Sequence, residues 1–199
     1  MSLRFLVAAA LAWPALALAQ GADKPALAAG DSWTYRQVTE GKETSWTRRV
    51  VAVAADGSAD MLLGDRPFRV DDSLNVIDPK SPESRRGQYR FPMRVGDEWS
   101  YTAPVPLMNL TVDQRHRYRV AAYETVSVPA GTFECFRVEG GSDLAYKQSY
   151  TRQVRETYWY CPRVGSFAKM TREVAVTSRD SPSSRESTEI VLVRYARKG

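Results

Sequence analysis

The sequence predicts an all-β protein, built from a curved, mainly antiparallel sheet or open barrel. Three observations predict it. No window beyond residue 19 holds a sustained apolar repeat of helical period. Apolar and aromatic residues instead alternate in short runs bounded by Gly, Pro and Asp clusters. A Gly-Asp-x-Trp-x-Tyr motif occurs twice, at Gly30–Tyr35 and Gly96–Tyr101, sixty-six positions apart.

Residues 1–19 come before that pattern and differ from it. Arg4 supplies a basic start, Phe5 to Ala19 is apolar around Pro14, and Ala17-Leu18-Ala19 precedes Gln20. This is the layout of a signal peptide cleaved after Ala19. The run is shorter than the ~20 residues of a membrane span; a retained anchor or a buried N-terminal helix is the other reading. No cysteine follows the cleavage site, so a lipid anchor there is not expected. Cleavage leaves about 180 residues, enough for a single domain with its own core. The net charge falls from +5 by one with Arg4. So small an excess is weak support for any anionic partner. Arginine far outnumbers lysine, as in GC-rich genomes, and with the leader this points to a bacterial periplasm.

From Gln20 to Ala29 the chain is a flexible lead-in. Gly30-Asp31 then opens a turn, and Trp33 and Tyr35 fall on one face of the strand that follows. Thr44 to Ala54 is a β-branched strand, and Ala55-Asp56-Gly57-Ser58 signals a hairpin. Met61 to Leu63 returns, Phe68 to Val70 extends it beyond Pro67, and Leu74 to Ile77 is a short strand. Residues 78–87, polar and with two prolines, read as an exposed loop joining two halves, 30–77 and 88–199, of one domain. The second half repeats the first in kind: Arg48 to Val53 before the Gly57 turn resembles Arg117 to Ala122 before the Gly131 turn. Two three-stranded, pseudo-symmetric meanders are therefore expected, a chance match being the alternative. Pro129-Ala130-Gly131-Thr132 has a mechanism for turning: proline presets φ and glycine supplies a positive one. Asp143 to Tyr160 is one bent strand or a hairpin near Thr151. Phe167 to Thr177 alternates, Ser178 to Ser184 reads as a loop, and Thr188 to Tyr195 is the last strand.

Cys135 and Cys161 are the two cysteines of a chain with an export leader, so a disulfide between neighbouring strands is expected. Closing that loop stabilises by about 3–4 kcal/mol in the chain-entropy view. Two separate buried thiols are the alternative; a redox pair lacks the C-x-x-C spacing. His116, the single histidine, sits on a strand with Tyr118 on its face and Arg115, Arg117 and Arg119 on the other. One histidine does not build a metal centre with histidine partners, and no cofactor or metal is expected. The three arginines, with Arg152 and Arg155, can form an anion-binding surface, or pair with Glu124, Glu139 and Glu156 across strands. Trp33, Trp46, Trp99, Tyr123, Tyr146, Tyr150, Tyr158, Trp159 and Tyr160 fill a core, the commoner role, or line a cup for an amphipathic ligand. Asp71-Asp72 and Asp97-Glu98 suit turns better than acid–base pairs. Asn109 begins a glycosylation sequon that matters only in a eukaryotic route. GxSxG, HExxH, phosphate-loop and dinucleotide fingerprints are absent from the sequence, so no catalytic residue is assigned. An exported chain with no basic-aromatic module is not expected to bind nucleic acid.

Val126 to Phe133, Tyr158 to Gly165 and the two Gly-Asp-x-Trp-x-Tyr strands together resemble a broad group of secreted bacterial domains, the TapB-like group, largely of unknown function. Its pattern is V-x-V-P-A-G-T-F, then Y-W-Y-x-P-x-V-G, then a strand with a lysine, here Lys169. The resemblance implies a curved sheet or open barrel similar in shape to periplasmic lipoprotein carriers. It supplies no catalytic residues. The expected function is non-enzymatic: an exported domain binding a hydrophobic small molecule or an envelope protein. A scaffold in an envelope or secretion system is the alternative, and a hydrolase using His116 or a carboxylate pair comes third.

Overall fold

A computed structural model describes residues 21–78, 81–85, 87–107, 110–147, 149–179 and 181–198. The leader and its cleavage site, and the sequon residue Asn109, lie outside the described residues. In chain order the strands are β1 (Gly21–Ala22), β2 (Ser32–Thr39), β3 (Lys42–Val53), β4 (Ala59–Leu63), β5 (Arg66–Val70), β6 (Val76–Asp78) and β7 (Ser81–Arg85). Then come β8 (Met93–Arg94), β9 (Glu98–Leu107), β10 (Leu110–Val128), β11 (Gly131–Tyr146), β12 (Tyr150–Cys161), β13 (Ser166–Ser178) and β14 (Ser181–Ala196). All pairings are antiparallel, so the described residues form the all-β fold that the alternation predicts.

β1 and β8 pair with each other, and the other twelve strands form one open sheet, ordered β7-β6-β5-β4-β3-β2-β14-β13-β12-β11-β10-β9. Each half is a meander, and the halves join where the first long strand meets the last, from Thr39↔Thr188 to Ser32↔Ala196. The edge strands β7 and β9 approach within 8 Å between Cα atoms but share no ladder.

The repeated motif marks a true structural repeat. Gly30 and Gly96 both adopt φ 93°, a conformation that costs glycine little. Gly30 N–H donates to Val50 O and Val50 N–H to Asp31 O, each at 2.9 Å. Gly96, Val120 and Asp97 form the same pair of bonds at the same 2.9 Å. In each copy the aspartate carboxylate accepts from the backbone three residues earlier, Ala28 N–H at 3.1 Å and Arg94 N–H at 2.8 Å. A β-bulge follows Val50 and another follows Val120. The repeating unit is larger than the three strands expected: β2 to β7 and β9 to β14 are six-stranded meanders, and β1 and β8 precede the two Gly-Asp turns.

Two segments read as loops are strands instead. Within 78–87, β7 pairs with β6, at Ile77↔Arg85 and Asp78↔Ser81. A polar run with Pro82 is compatible with an edge strand, which needs neither an apolar face nor every N–H. Ser181 to Ser184 likewise belongs to β14, with Ser184 opposite Val176. There the ladder with β13 overrides the weak strand propensity of serine. The Asp143–Tyr160 stretch resolves as a hairpin, its turn just before Tyr150.

The core is aromatic. Trp33, Tyr35, Phe136, Tyr158 and Tyr160 are buried along with Val50, Val120, Val138 and Leu192. The tip of the β10–β11 hairpin folds onto β14: Ala130 N–H donates to Leu192 O at 3.2 Å, and the Phe133 and Tyr195 rings meet edge-on at 5.7 Å. Cys135 and Cys161 are both fully buried.

Candidate functional site

Phe136 lies opposite Tyr160 in the β11–β12 ladder, so the next pair along it is Cys135 and Cys161. They face each other at disulfide distance, with Cα atoms 4.1 Å apart and sulfurs at 2.03 Å.

A second feature lies midway up the sheet. β11 carries Gly140-Gly141 where its neighbours carry side chains. A Cβ on Gly140 would meet the Tyr118 ring at 2.2 Å, and one on Gly141 would meet Val154 O at 1.9 Å. The bare backbone lets Tyr118 lie across β11 and donate to Glu156 Oε1 at 2.5 Å. Arg172 Nε stands 4.0 Å from the other carboxylate oxygen. Burial, and then the Glu156 charge, push the Tyr118 phenol far above its ordinary value. His116 stacks on Tyr101 with ring centroids 4.6 Å apart, and Ser142 lies across the ladder from it. Gln114 and Ser142 are buried with one polar atom each, Nε2 and Oγ, lacking a protein hydrogen-bond partner.

Polar grooves run across β9 to β14 beside this feature, and Tyr118, Glu156 and Arg172 are among the residues that line them. One of about 610 Å³ is lined by Glu139, Arg155, Thr157, Thr171, Glu173 and Glu189. Its neighbour, about 540 Å³, adds Glu98, Arg117, Arg119 and Asp143. The arginine face of the sequence is here: Arg115 bonds the Ser100 hydroxyl at 3.1 Å, and Arg155 pairs with Asp143 at 2.9 Å. Arg152 does not join it, because its ladder partner Leu144 faces the other side. Among the expected carboxylates, Glu124 and Glu139 take Arg137, while Glu156 takes Tyr118.

The third feature is a strap, residues 87–91, laid over the aromatic core between β7 and β8. Asn75 grips it at both ends of one residue: its Nδ2 donates to Tyr89 O at 3.0 Å, and its Oδ1 accepts from Tyr89 N–H at 2.8 Å. Trp99 Nε1 donates to Gly87 O at 2.8 Å, and the Tyr158 hydroxyl to Gln88 O at 2.5 Å. The Tyr89 ring meets Tyr158 edge-on at 5.2 Å, and Phe91 meets Tyr160 at 5.1 Å. The Tyr89–Phe91 alternation beside Gly87 was the available sequence signal for this segment; without helical or hairpin context it pointed nowhere.

The aromatic residues mostly serve the core and do not line a cup, although Trp46, Trp99 and Trp159 are partly exposed at its margins. Asp71 and Asp97 accept backbone N–H bonds within turns, which suits consecutive acids. Lys169 pairs with Glu189 at 3.0 Å and lies over the Trp159 ring. Among the described residues no His, Cys, Asp and Glu cluster is arranged to hold a metal ion, and no helix is long and apolar enough to cross a membrane.

A family described as DUF3108-like matches residues 97–170. Three solved structures resemble the chain. A Bacteroides fragilis protein described as exported, with a YmcC-like fold, is 16% identical, covers 88% of this chain and 100% of its own, with a TM-score of 0.44. A Parabacteroides distasonis protein described as a lipoprotein is 14% identical over 89% and 100%, TM-score 0.46. The Escherichia coli lipoprotein YmcC is 11% identical over 83% and 85%, TM-score 0.46. No curated protein matches the chain.

Proposed function

We propose that the chain is an exported, envelope-associated binding protein of the periplasm, without catalytic activity. The observation that carries this reading is the Cys135–Cys161 pair, aligned across a ladder and fully buried. Such a pair is stable as a disulfide in an oxidising compartment, and the leader-like residues 1–19 supply the route there. The motifs of the TapB-like resemblance fall on the β10–β11 hairpin, the end of β12, and β13, which carries Lys169. Binding, as opposed to catalysis, fits the chemistry of the side chains. His116 is stacked on an aromatic ring, and the Glu156 carboxylate is engaged by a phenol. The occupant is hydrophobic or amphipathic in this reading, held where aromatic rings border the core.

The test is to express the full chain in a Gram-negative host and analyse the periplasmic extract by intact and native mass spectrometry. A chain beginning at Gln20, two hydrogens lighter than the dithiol, and carrying a retained small molecule or protein partner is expected. A cytoplasmic, full-length, reduced product defeats the reading. The scaffold alternative draws on one observation: the twelve-stranded sheet is open, with β7 at the edge away from β9. In that case a stoichiometric protein, not a small molecule, accompanies the chain.

A further inference from the structure

The strap is bound in an unusual manner for a loop. Among the described residues, four hydrogen bonds join side chains of the body to main-chain atoms of residues 87–89, three donated by Asn75, Trp99 and Tyr158 and one accepted by Asn75. None of these four reads a strap side chain. What is read is a run of consecutive peptide groups, plus two rings at positions i and i+2. Alternate residues of an extended chain project to one side. Tyr89 and Phe91 therefore match Tyr158 and Tyr160, themselves i and i+2 on β12. The donors and acceptors of the seat, from Asn75, Trp99 and Tyr158, are neutral. A lipid tail or a sugar does not offer this repeat of carbonyl and amide; an extended polypeptide does.

The strap is also weakly tied into the rest of the fold. Residues 87–91 belong to no ladder. On one side the strap follows the edge strand β7, and on the other it runs into the two-residue β8, which pairs only with β1 among the described strands. Segments with few ladder bonds open at lower free energy than the central sheet. What opposes release is apolar burial: Tyr89 and Met93 are buried, and Phe91 is partly so. A second peptide with aromatic residues at alternate positions restores that burial as it enters.

We propose that the seat formed by Asn75, Trp99, Tyr158 and Tyr160 is a receptor for an extended aromatic-x-aromatic segment of another exported polypeptide, and that residues 87–91 are its resident stand-in. This rests on the binding part of the function above and names its ligand class. A seat filled by its own strap shows reduced apparent affinity, in proportion to the fraction of molecules with the seat open. Weakening the strap therefore tightens binding of a peptide in trans.

The probe is a fluorescent synthetic peptide copying Gly87 to Met93, titrated by anisotropy against the oxidised mature chain. The proteins are the wild type, Phe91→Ala, and Tyr89→Ala combined with Phe91→Ala. Phe91→Ala removes a ring that is only partly buried, so it keeps a folded variant in the set even if the double change does not fold. Binding to Phe91→Ala roughly tenfold tighter than to the wild type is expected, and a peptide with alanine at both aromatic positions should not bind. No binding to folded Phe91→Ala overturns the proposal. So does equal binding to wild type and variant, or binding of the alanine peptide as tight as that of the parent. A lipid retained in the native mass spectrum with no peptide binding removes this inference and leaves the envelope-binding function standing. A cytoplasmic, reduced chain that still binds the peptide does the reverse.

Discussion

Gly141 shows how much of the fold a single missing side chain can hold. Its φ is 149°, and Val154 O fills the place of its Cβ. Gly141→Ala should cost about 3 kcal/mol or more, an overpacking penalty added to a backbone one. Gly64→Ala should cost only about 1–2 kcal/mol, since φ 59° is strained but the space is open. Urea midpoints of the two variants, compared at constant m, check the difference. The buried phenols set a second expectation. Tyr118 and Tyr158 are both raised from the ordinary 10.0, chiefly by burial. In the unfolded chain these phenols ionise near pH 10 and in the native chain they do not, so above that pH the unfolded state binds fewer protons. Their contribution is complete below pH 10 and shrinks as pH rises toward the native values. Stability measured by denaturant from pH 8 to 12 should therefore fall above about 10, and Tyr118→Phe should flatten the fall.

At the level of elements, the long strands were legible and the polar ones were not. Trp33 with Tyr35, and Tyr158 with Tyr160, alternate with less apolar neighbours, and each pair faces the core. Proline and glycine in the Pro129–Thr132 turn announced the β10–β11 hairpin for a mechanical reason. β7 and the start of β14 carry no such pattern, because an edge or a solvated strand is specified by its neighbour's backbone more than by its own side chains. The cysteines fall between these cases: neighbouring strands followed from the hairpin reading, while direct opposition depended on the register Phe136↔Tyr160. A disulfide between them, at the distance the pair shows, is expected to matter at this level. Replacing both Cys135 and Cys161 with alanine should lower unfolding free energy by about 3–4 kcal/mol. Guanidinium curves of the variant against the oxidised wild type measure it, and coincident curves would mean that no bond forms.

For the whole molecule, the sheet's near-closure poses an edge problem. β9 pairs with β10 through every residue from Glu98 to Leu107, including Pro104 opposite Asp113 and Pro106 opposite Thr111. Ladder donors alternate sides along a strand, so two prolines at even spacing lack their N–H on one side, the free edge. Their absence there disfavours another chain adding to β9. Pro104→Thr with Pro106→Thr should therefore promote dimers or larger assemblies, seen as faster-sedimenting species, whereas the wild type should not. The repeated Gly-Asp-x-Trp-x-Tyr motif made the internal symmetry legible, but not the meeting of β7 with β9. The strap's seat was hidden for a related reason: Asn75 and Tyr158 come together only after the sheet has curved.

The ladder between β2 and β14 also fixes the order of events as the chain is made. β14 comes after every other described strand, so the join between the halves waits until it has been made. Contacts this distant in sequence carry a loop-closure cost that slows the search for the native state. Until then the first meander has an exposed flank and the second lacks its final strand. A chain held open to its last strand remains threadable through a narrow pore.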